Sequence, residues 1–298
     1  MPELNYGGQA VMEGVMMRGS KALAVAVRQP DGNIVLHTEP LDPKIYSGRL
    51  SKIPFLRGLT GLWDALVLGI RTLMWSAEAA LGPEEEVQFT GPLAWGTVAV
   101  SLVLGIGLFF VGPLLLARLI DRYVQSSFLS NLLEGVIRLV IFVAYLWAIG
   151  RISEIRRVFA YHGAEHKTIN AYESGAELTP AEVARFSTAH YRCGTAFLLS
   201  VMVISILVFS LLGRPPLVLA ILSRVVLIPL VAGVAYEYIK FTNRYRDNAL
   251  IRAMAAPNLA LQRLTTREPE PAMLEVSIAA LQRVLEAEGK SLGDSSTP

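Results

Sequence analysis

Apolar residues in the middle of this chain neither alternate nor fall into stripes; they run almost unbroken through four windows. These are 92–116 (PLAWGTVAVSLVLGIGLFFVGPLLL), 132–150 (LLEGVIRLVIFVAYLWAIG), 195–213 (TAFLLSVMVISILVFSLLG) and 217–236 (LVLAILSRVVLIPLVAGVAY). Each approaches the roughly 20 residues a helix needs to cross a hydrocarbon core, so the pattern predicts four transmembrane helices. The first and third windows carry no charge. The second holds Glu134 and Arg138, which fall on one helical face where they can pair or turn into a bundle. Arg224 and Pro229 interrupt the fourth, and a proline is tolerated in a membrane helix whose neighbours satisfy the freed carbonyl.

Shorter patterns flank these windows. Residues 22–39, ALAVAVRQPDGNIVLHTE, turn at Pro30-Asp31-Gly32-Asn33, which predicts a small N-terminal β-hairpin with strands near 22–28 and 34–39. Before it, GGQAVMEGVMMRG (7–19) reads as an apolar loop or short helix, with Glu13 and Arg18 as candidates to line a pocket. Between 55 and 81, Arg57, Asp64, Arg71 and Glu78 recur every seven residues, leaving one narrow polar seam on an amphipathic helix. That helix is expected in the membrane interface or docked on the bundle. After TTREPEP (265–271), MLEVSIAALQRVLEAEGK has helical periodicity and predicts a solvent-facing closing helix. The expected fold class is therefore mainly α, a polytopic membrane protein. Its segments are 1–54 (hairpin), 55–90 (interfacial helix), 91–239 (four spans and a 151–194 loop) and 240–298 (helical tail).

Composition agrees: 53% of the 298 residues are hydrophobic and only 17% charged, against about 25% charged in soluble domains. Lysine and arginine gather before the first window, between the second and third, and after the fourth. The positive-inside bias then puts both termini and the 151–194 loop in the cytoplasm, with the lipid bilayer as partner. The basic residues are explained by topology, and no nucleic-acid partner is predicted. MPELNYGGQAVMEG lacks the basic and apolar regions of a cleavable signal.

The chemistry concentrates in the 151–194 loop. YHGAEHKTINAYE (161–173) contains H-x-x-E-H: at about 100° per residue, His162, Glu165 and His166 share one helical face. Two imidazoles at i and i+4 suit one divalent cation, and Glu173 returns to the same face as a third ligand or a supporting carboxylate. AHYRCGTAF (189–197) adds His190 and the single cysteine, Cys193. Imidazole and thiolate are ligands that Zn²⁺ prefers. His37, in the hairpin, reads as an ordinary surface residue.

GGQAVMEGVMMRG, YHGAEHKTINAYE, RCGTAF and RLTTREPEP with LEVSIAAL resemble the YqhQ-like family of bacterial membrane proteins across nearly the whole chain. The resemblance implies a family of unknown function to which metal-dependent enzyme chemistry is ascribed, and its motif positions Glu13, Arg18, His162, Glu165, His166, His190 and Cys193 are all present. Two function classes follow. In one, a zinc-like ion on His162, His166 and a third ligand leaves a position for water, and Glu165 is the general base for hydrolysis of an ester, amide or phosphoester at the membrane surface. In the other, four protein ligands form a structural site in a scaffold, assembly or transport factor.

Overall fold

The computed structural model of the chain describes residues 6–46, 53–55, 57–63, 67–82, 92–121, 123–213 and 216–290. It opens with four strands, β1 (Gly7–Val11), β2 (Gly14–Arg18), β3 (Ala22–Arg28) and β4 (Ile34–Pro40), forming an antiparallel meander in sequence order. The expected hairpin is β3–β4. The GGQAVMEGVMMRG segment, read from sequence as loop or helix, supplies β1 and β2. Val11 pairs with Gly14 across a two-residue turn whose second residue, Glu13, has φ 49°, the left-handed conformation that tight hairpins demand. A glycine and methionine mixture hid these strands because neither residue is a strong strand former.

Both faces of the sheet are covered. Val15, Met17, Ala24 and Ala26 face one core, and Val11, Met16, Leu23, Val25 and Val27 face another. Burial on two sides is why ALAVAV is continuously apolar instead of alternating. The first face packs on α7 (Ser153–Glu173) and α12 (Pro271–Ala287). α12 thus corrects the expectation of a solvent-facing closing helix: Met273, Leu274, Val276, Ile278, Leu281, Val284 and Leu285 are all buried. It is wedged between sheet and α7, so it needs apolar groups on more than one stripe.

A short α1 (Pro43–Tyr46) follows the sheet. The predicted continuous helix over 55–81 is divided into α2 (Gly58–Trp63) and α3 (Gly69–Leu81); Asp64 lies outside the described residues. Neither rests alone at an interface. α3 covers the second face of the sheet through Leu68, Trp75, Ala79 and Ala80, and Arg71 pairs with Glu39 of β4 at 3.1 Å. The segment entering α2 instead docks on the later helix α10 (Leu217–Arg244), where Arg57 and Glu237 form a 2.5 Å ion pair.

Next come α4 (Pro92–Ile106), a π-helical turn at Gly107–Val111, α5 (Gly112–Asp121) and α6 (Ser127–Ile149). Among the described residues, two helices are long and apolar enough to cross a membrane, Trp95–Ile120 and Ser127–Ile149. Protein covers just 6% of the first one's most apolar window and 28% of the second's. Such a helix is no buried core element of a soluble protein, whose apolar positions would be enclosed. The two windows are tied by a buried polar contact. Arg138 pairs with Glu134 and donates through Nε to the Phe109 carbonyl at 2.9 Å, within the π turn. A π turn shifts the helical ladder by one residue and so re-aims a carbonyl of this kind. The remaining helices are α8 (Pro180–Val183), α9 (Gly194–Ser210), α10 (Leu217–Arg244) and α11 (Ala249–Thr265). α9 is apolar but has 17 residues, and it packs closely on α6, where a Cβ at Gly135 would stand 2.4 Å from Ile206 Cγ1.

Candidate metal centre

α7 carries the H-x-x-E-H face into the interior. Its middle turns, Ala160 to Ile169, are nearly all buried, against the sheet and α12 on one side and against the 184–193 and 265–267 segments on the other. Later residues of the same helix fix the first of these segments: Lys167 Nζ donates to Ala184 O at 2.7 Å, and Asn170 Nδ2 donates to Ser187 O at 2.8 Å and Ala189 O at 3.1 Å. Gln262 on α11 holds its far end, accepting the His190 N–H at 2.9 Å and donating to the His190 carbonyl at 2.8 Å. The second segment is held by contact with Gly163. A Cβ there would lie 2.0 Å from the Arg267 carbonyl oxygen, and Arg267 N donates to Phe159 O at 2.8 Å.

These anchors set the two imidazoles. His162 Nδ1 lies 2.8 Å from the Thr265 carbonyl and His166 Nδ1 lies 2.5 Å from the Thr188 carbonyl. A carbonyl can only accept, so both Nδ1 atoms carry hydrogen and both Nε2 atoms turn the other way. They turn toward Cys193, whose Sγ is 3.2 Å from His162 Nε2. Ligand atoms of His162, His166 and Cys193 all lie within 4.8 Å of one another. Cys193 is the N-cap of α9, with Sγ 2.9 Å from Thr195 Oγ1. His166 Nε2 is buried and hydrogen-bonds to nothing among the described residues. That orphaned nitrogen, inside a set of two imidazoles and a thiol, fits a divalent metal ion, and Nδ1–H to carbonyl bonds are how metal-bound histidines are ordinarily oriented.

Charge in the set is coupled. Burial opposes ionisation of the Cys193 thiol, but the two imidazoles outweigh it and hold the thiol well below its usual pKa. Burial likewise disfavours the imidazolium of His166, but Cys193 and Glu165 push it up to about 9. Such a pair favours the thiolate, the form that binds metal. Glu165 is buried, its Oε2 3.4 Å from His166 Nε2. Above it is β1: a Cβ on Gly8 would stand 2.8 Å from Glu165 Cγ.

His190 and Glu173 border this set without joining it: the His190 ring lies 5.6 Å from that of His166, centroid to centroid. They are partners of one another, with Nε2 and Oε2 3.9 Å apart, and Glu173 is also bound by Arg192. Burial raises the Glu173 carboxyl, but His190 and Arg192 overcome it and lower its pKa. Glu13 and Arg18 are engaged with other partners, Glu13 also accepting from Tyr161 Oη at 3.3 Å. Glu13 sits on the β1–β2 turn and pairs with Arg157 at 2.5 Å, and Arg18 lies over the Tyr46 ring at 5.3 Å. His37 pairs with Glu39 at 2.8 Å and stacks on Trp75. Thr188, Thr265, Gln262 and the close contacts at Gly8 and Gly163 are the supporting parts that sequence reasoning missed. Only Gly163 gave a signal, as a glycine inside a helix.

Residues 53–287 match a family model described as protein of unknown function (DUF1385). The chain is 35% identical over 298 residues to the uncharacterized protein YqhQ of Bacillus subtilis (strain 168), spanning 96% of this chain and 94% of the relative. No solved structure matches it. With the family model covering most of its length and YqhQ aligned almost end to end, the chain belongs to the YqhQ-like DUF1385 family.

Proposed function

We propose that this chain is a multi-pass membrane protein with a metal-dependent hydrolytic centre at its cytoplasmic face. In this reading α9 and α10 join the two long apolar helices as spans, and both termini are cytoplasmic. The distribution of lysine and arginine supports that topology. His162, His166 and Cys193 are the ligands. A zinc-like ion bound there would supply Lewis-acid chemistry and lower the pKa of a water toward about 7.

The observation that carries the proposal is the buried Nε2 of His166, which has no hydrogen bond among the described residues and lies beside a buried carboxylate. Three protein ligands leave a coordination position for chemistry, where four would close it. Glu165 has no lysine or arginine ion pair among the described residues. Its role is to take a proton from the attacking water and pass it to the leaving group. Thr188 and Thr265 hold the imidazole tautomers through their carbonyls.

The burial of the cluster favours a second reading, in which Glu165 is a fourth ligand and the ion staples α7 to α9 as a structural site. Glu165→Gln separates the two, because it keeps the side-chain shape and removes its basicity. The hydrolase reading expects about one zinc per chain in wild type, loss of that zinc in His162→Ala with His166→Ala, and retention of it in Glu165→Gln with loss of function in a complementation assay. Loss of zinc from Glu165→Gln would make Glu165 a ligand and favour the structural site, while full function in Glu165→Gln would end the general-base role. Equal metal content in wild type and the double histidine variant would remove the centre altogether.

A further inference from the structure

The sheet has two edges, and they differ. β4 carries Glu39 and Pro40, and Arg283 of α12 reaches Thr38 at 3.1 Å. Charges, prolines and cover of this kind are how natural sheets block the addition of further strands. β1, GGQAV, has neither charge nor proline.

The register shows what the β1 edge offers. Arg28 N bonds to Glu13 O, so Val15 and Met17 turn their backbone groups toward β3, while Gly14, Met16 and Arg18 turn theirs toward β1. On β1 the partners of those three are Val11, Gln9 and Gly7. Gly8 and Ala10 therefore direct their N–H and C=O groups away from the sheet. At the two ends, outward groups are already used: Tyr6 O accepts from Arg192 and Met12 N donates to Ser76 Oγ at 3.1 Å. Between them, the two N–H and two C=O groups of Gly8 and Ala10 hydrogen-bond to nothing among the described residues. Gly8 is exposed, and its missing Cβ is what leaves room for Glu165.

We infer that β1 receives an extended polypeptide along this edge, so that the substrate of the neighbouring centre is a peptide backbone. The inference rests on the hydrolase reading of that site. Alternating donors and acceptors at strand spacing are matched by another backbone, which an ester or a phosphoester cannot supply. A strand paired about 4.8 Å from β1 runs beside Glu165. Cleavage then balances as hydrolysis. The water oxygen bonds to the peptide carbonyl carbon, the C–N bond breaks with its electron pair on nitrogen, and the proton taken by Glu165 passes to that nitrogen.

Ala10→Pro tests this, because an outward N–H on an edge strand can be removed without breaking the sheet. The probe is fluorescein-labelled, reduced and carboxymethylated lactalbumin, an unfolded polypeptide, added to the full chain in nanodiscs. Binding is read by anisotropy on metal-free protein and cleavage by gel on zinc-loaded protein. Ala10→Pro should bind at least tenfold more weakly with unchanged zinc content, whereas Glu165→Gln should bind as wild type and not cleave. Hydrogen exchange on the unaltered chain should show the Gly8 and Ala10 amides slowed when the probe is added. Wild type that fails to bind the probe, Ala10→Pro that binds it normally, or exchange at those amides that the probe leaves unchanged overturns the inference. So does protection of those amides before the probe is added that disappears on deleting 291–298, since the occupant would then be the chain's own tail. Binding that is sensitive to Ala10→Pro without any cleavage upholds the docking edge and sinks the hydrolase reading instead.

Discussion

Gly163→Ala sets two effects of opposite sign against each other. In an isolated helix the change stabilises by about 1 kcal/mol, since alanine is the better helix former. In this protein the new Cβ would lie 2.0 Å from the Arg267 carbonyl oxygen, where a carbon and an oxygen need about 3.3 Å. The 265–267 segment must therefore retreat from α7 by roughly 1 Å, and two hydrogen bonds made across that seam cannot survive the move. These are Arg267 N to Phe159 O at 2.8 Å and His162 Nδ1 to Thr265 O at 2.8 Å. Each buried group left unpaired costs about 1–3 kcal/mol. The net effect is a destabilisation of about 3 kcal/mol, with metal affinity lowered roughly 10–100-fold because His162 loses the carbonyl that orients it. Thermal unfolding in detergent reads the first quantity, and competition with a zinc chelator reads the second. A Gly163→Ala protein as stable as wild type, with undiminished zinc affinity, would refute the account of how α7 is seated and how His162 is aimed.

Two further outcomes are expected. Glu288 accepts from Ser20 N at 2.6 Å, Lys21 N at 2.7 Å and Tyr6 Oη at 2.8 Å, latching the end of α12 to the β2–β3 turn. Burial raises its carboxyl, but these donors prevail and lower the pKa, so its contribution is present above the ordinary carboxylate value and lost as pH falls through the lowered one. Glu288→Gln should cost about 2 kcal/mol at pH 7, with the difference from wild type shrinking below about pH 4.5; a difference that grows on acidification would reverse the assignment. For topology, single cysteines at Asp31 and Ala287, both exposed, should resist an impermeant thiol reagent in intact cells and react after lysis. Labelling from outside would put the termini on the wrong side.

Secondary structure was legible wherever one local rule governed it. The 30–33 turn announced β3 and β4, and the long apolar windows announced the helices at Trp95–Ile120 and Ser127–Ile149. It was not legible where tertiary cover decides. β1 and β2 are strands because α7 and α3 enclose their two faces, a fact that no window of GGQAVMEGVMMRG contains. The seven-residue charge period over 55–81 was real, but its members serve different partners: Arg57 meets Glu237 of α10, and Arg71 meets Glu39 of β4. A polar seam seen in projection was thus two docking contacts.

The site divides along the same line. His162, Glu165 and His166 could be grouped from sequence because they occupy little more than one helical turn, so sharing a face also means sharing a place. Glu173 shares that face on a helical wheel, yet eleven residues further on it stands about 16 Å along the axis, and there it meets Arg192 and His190. A wheel discards the axial coordinate, and with it the distinction between a ligand and a neighbour. His190, near Cys193 in the chain, does come close to the set, its ring 5.6 Å from that of His166, but its Nε2 faces Glu173 while Gln262 pins its backbone from a different helix. The parts that aim the ligands, Thr188 and Thr265 through their carbonyls, leave no mark in side-chain identity because the backbone does the work. Gly163 did leave one. A glycine between two candidate ligands, in a helix that would be about 1 kcal/mol better with alanine there, is explained once another strand of backbone lies where its side chain would be.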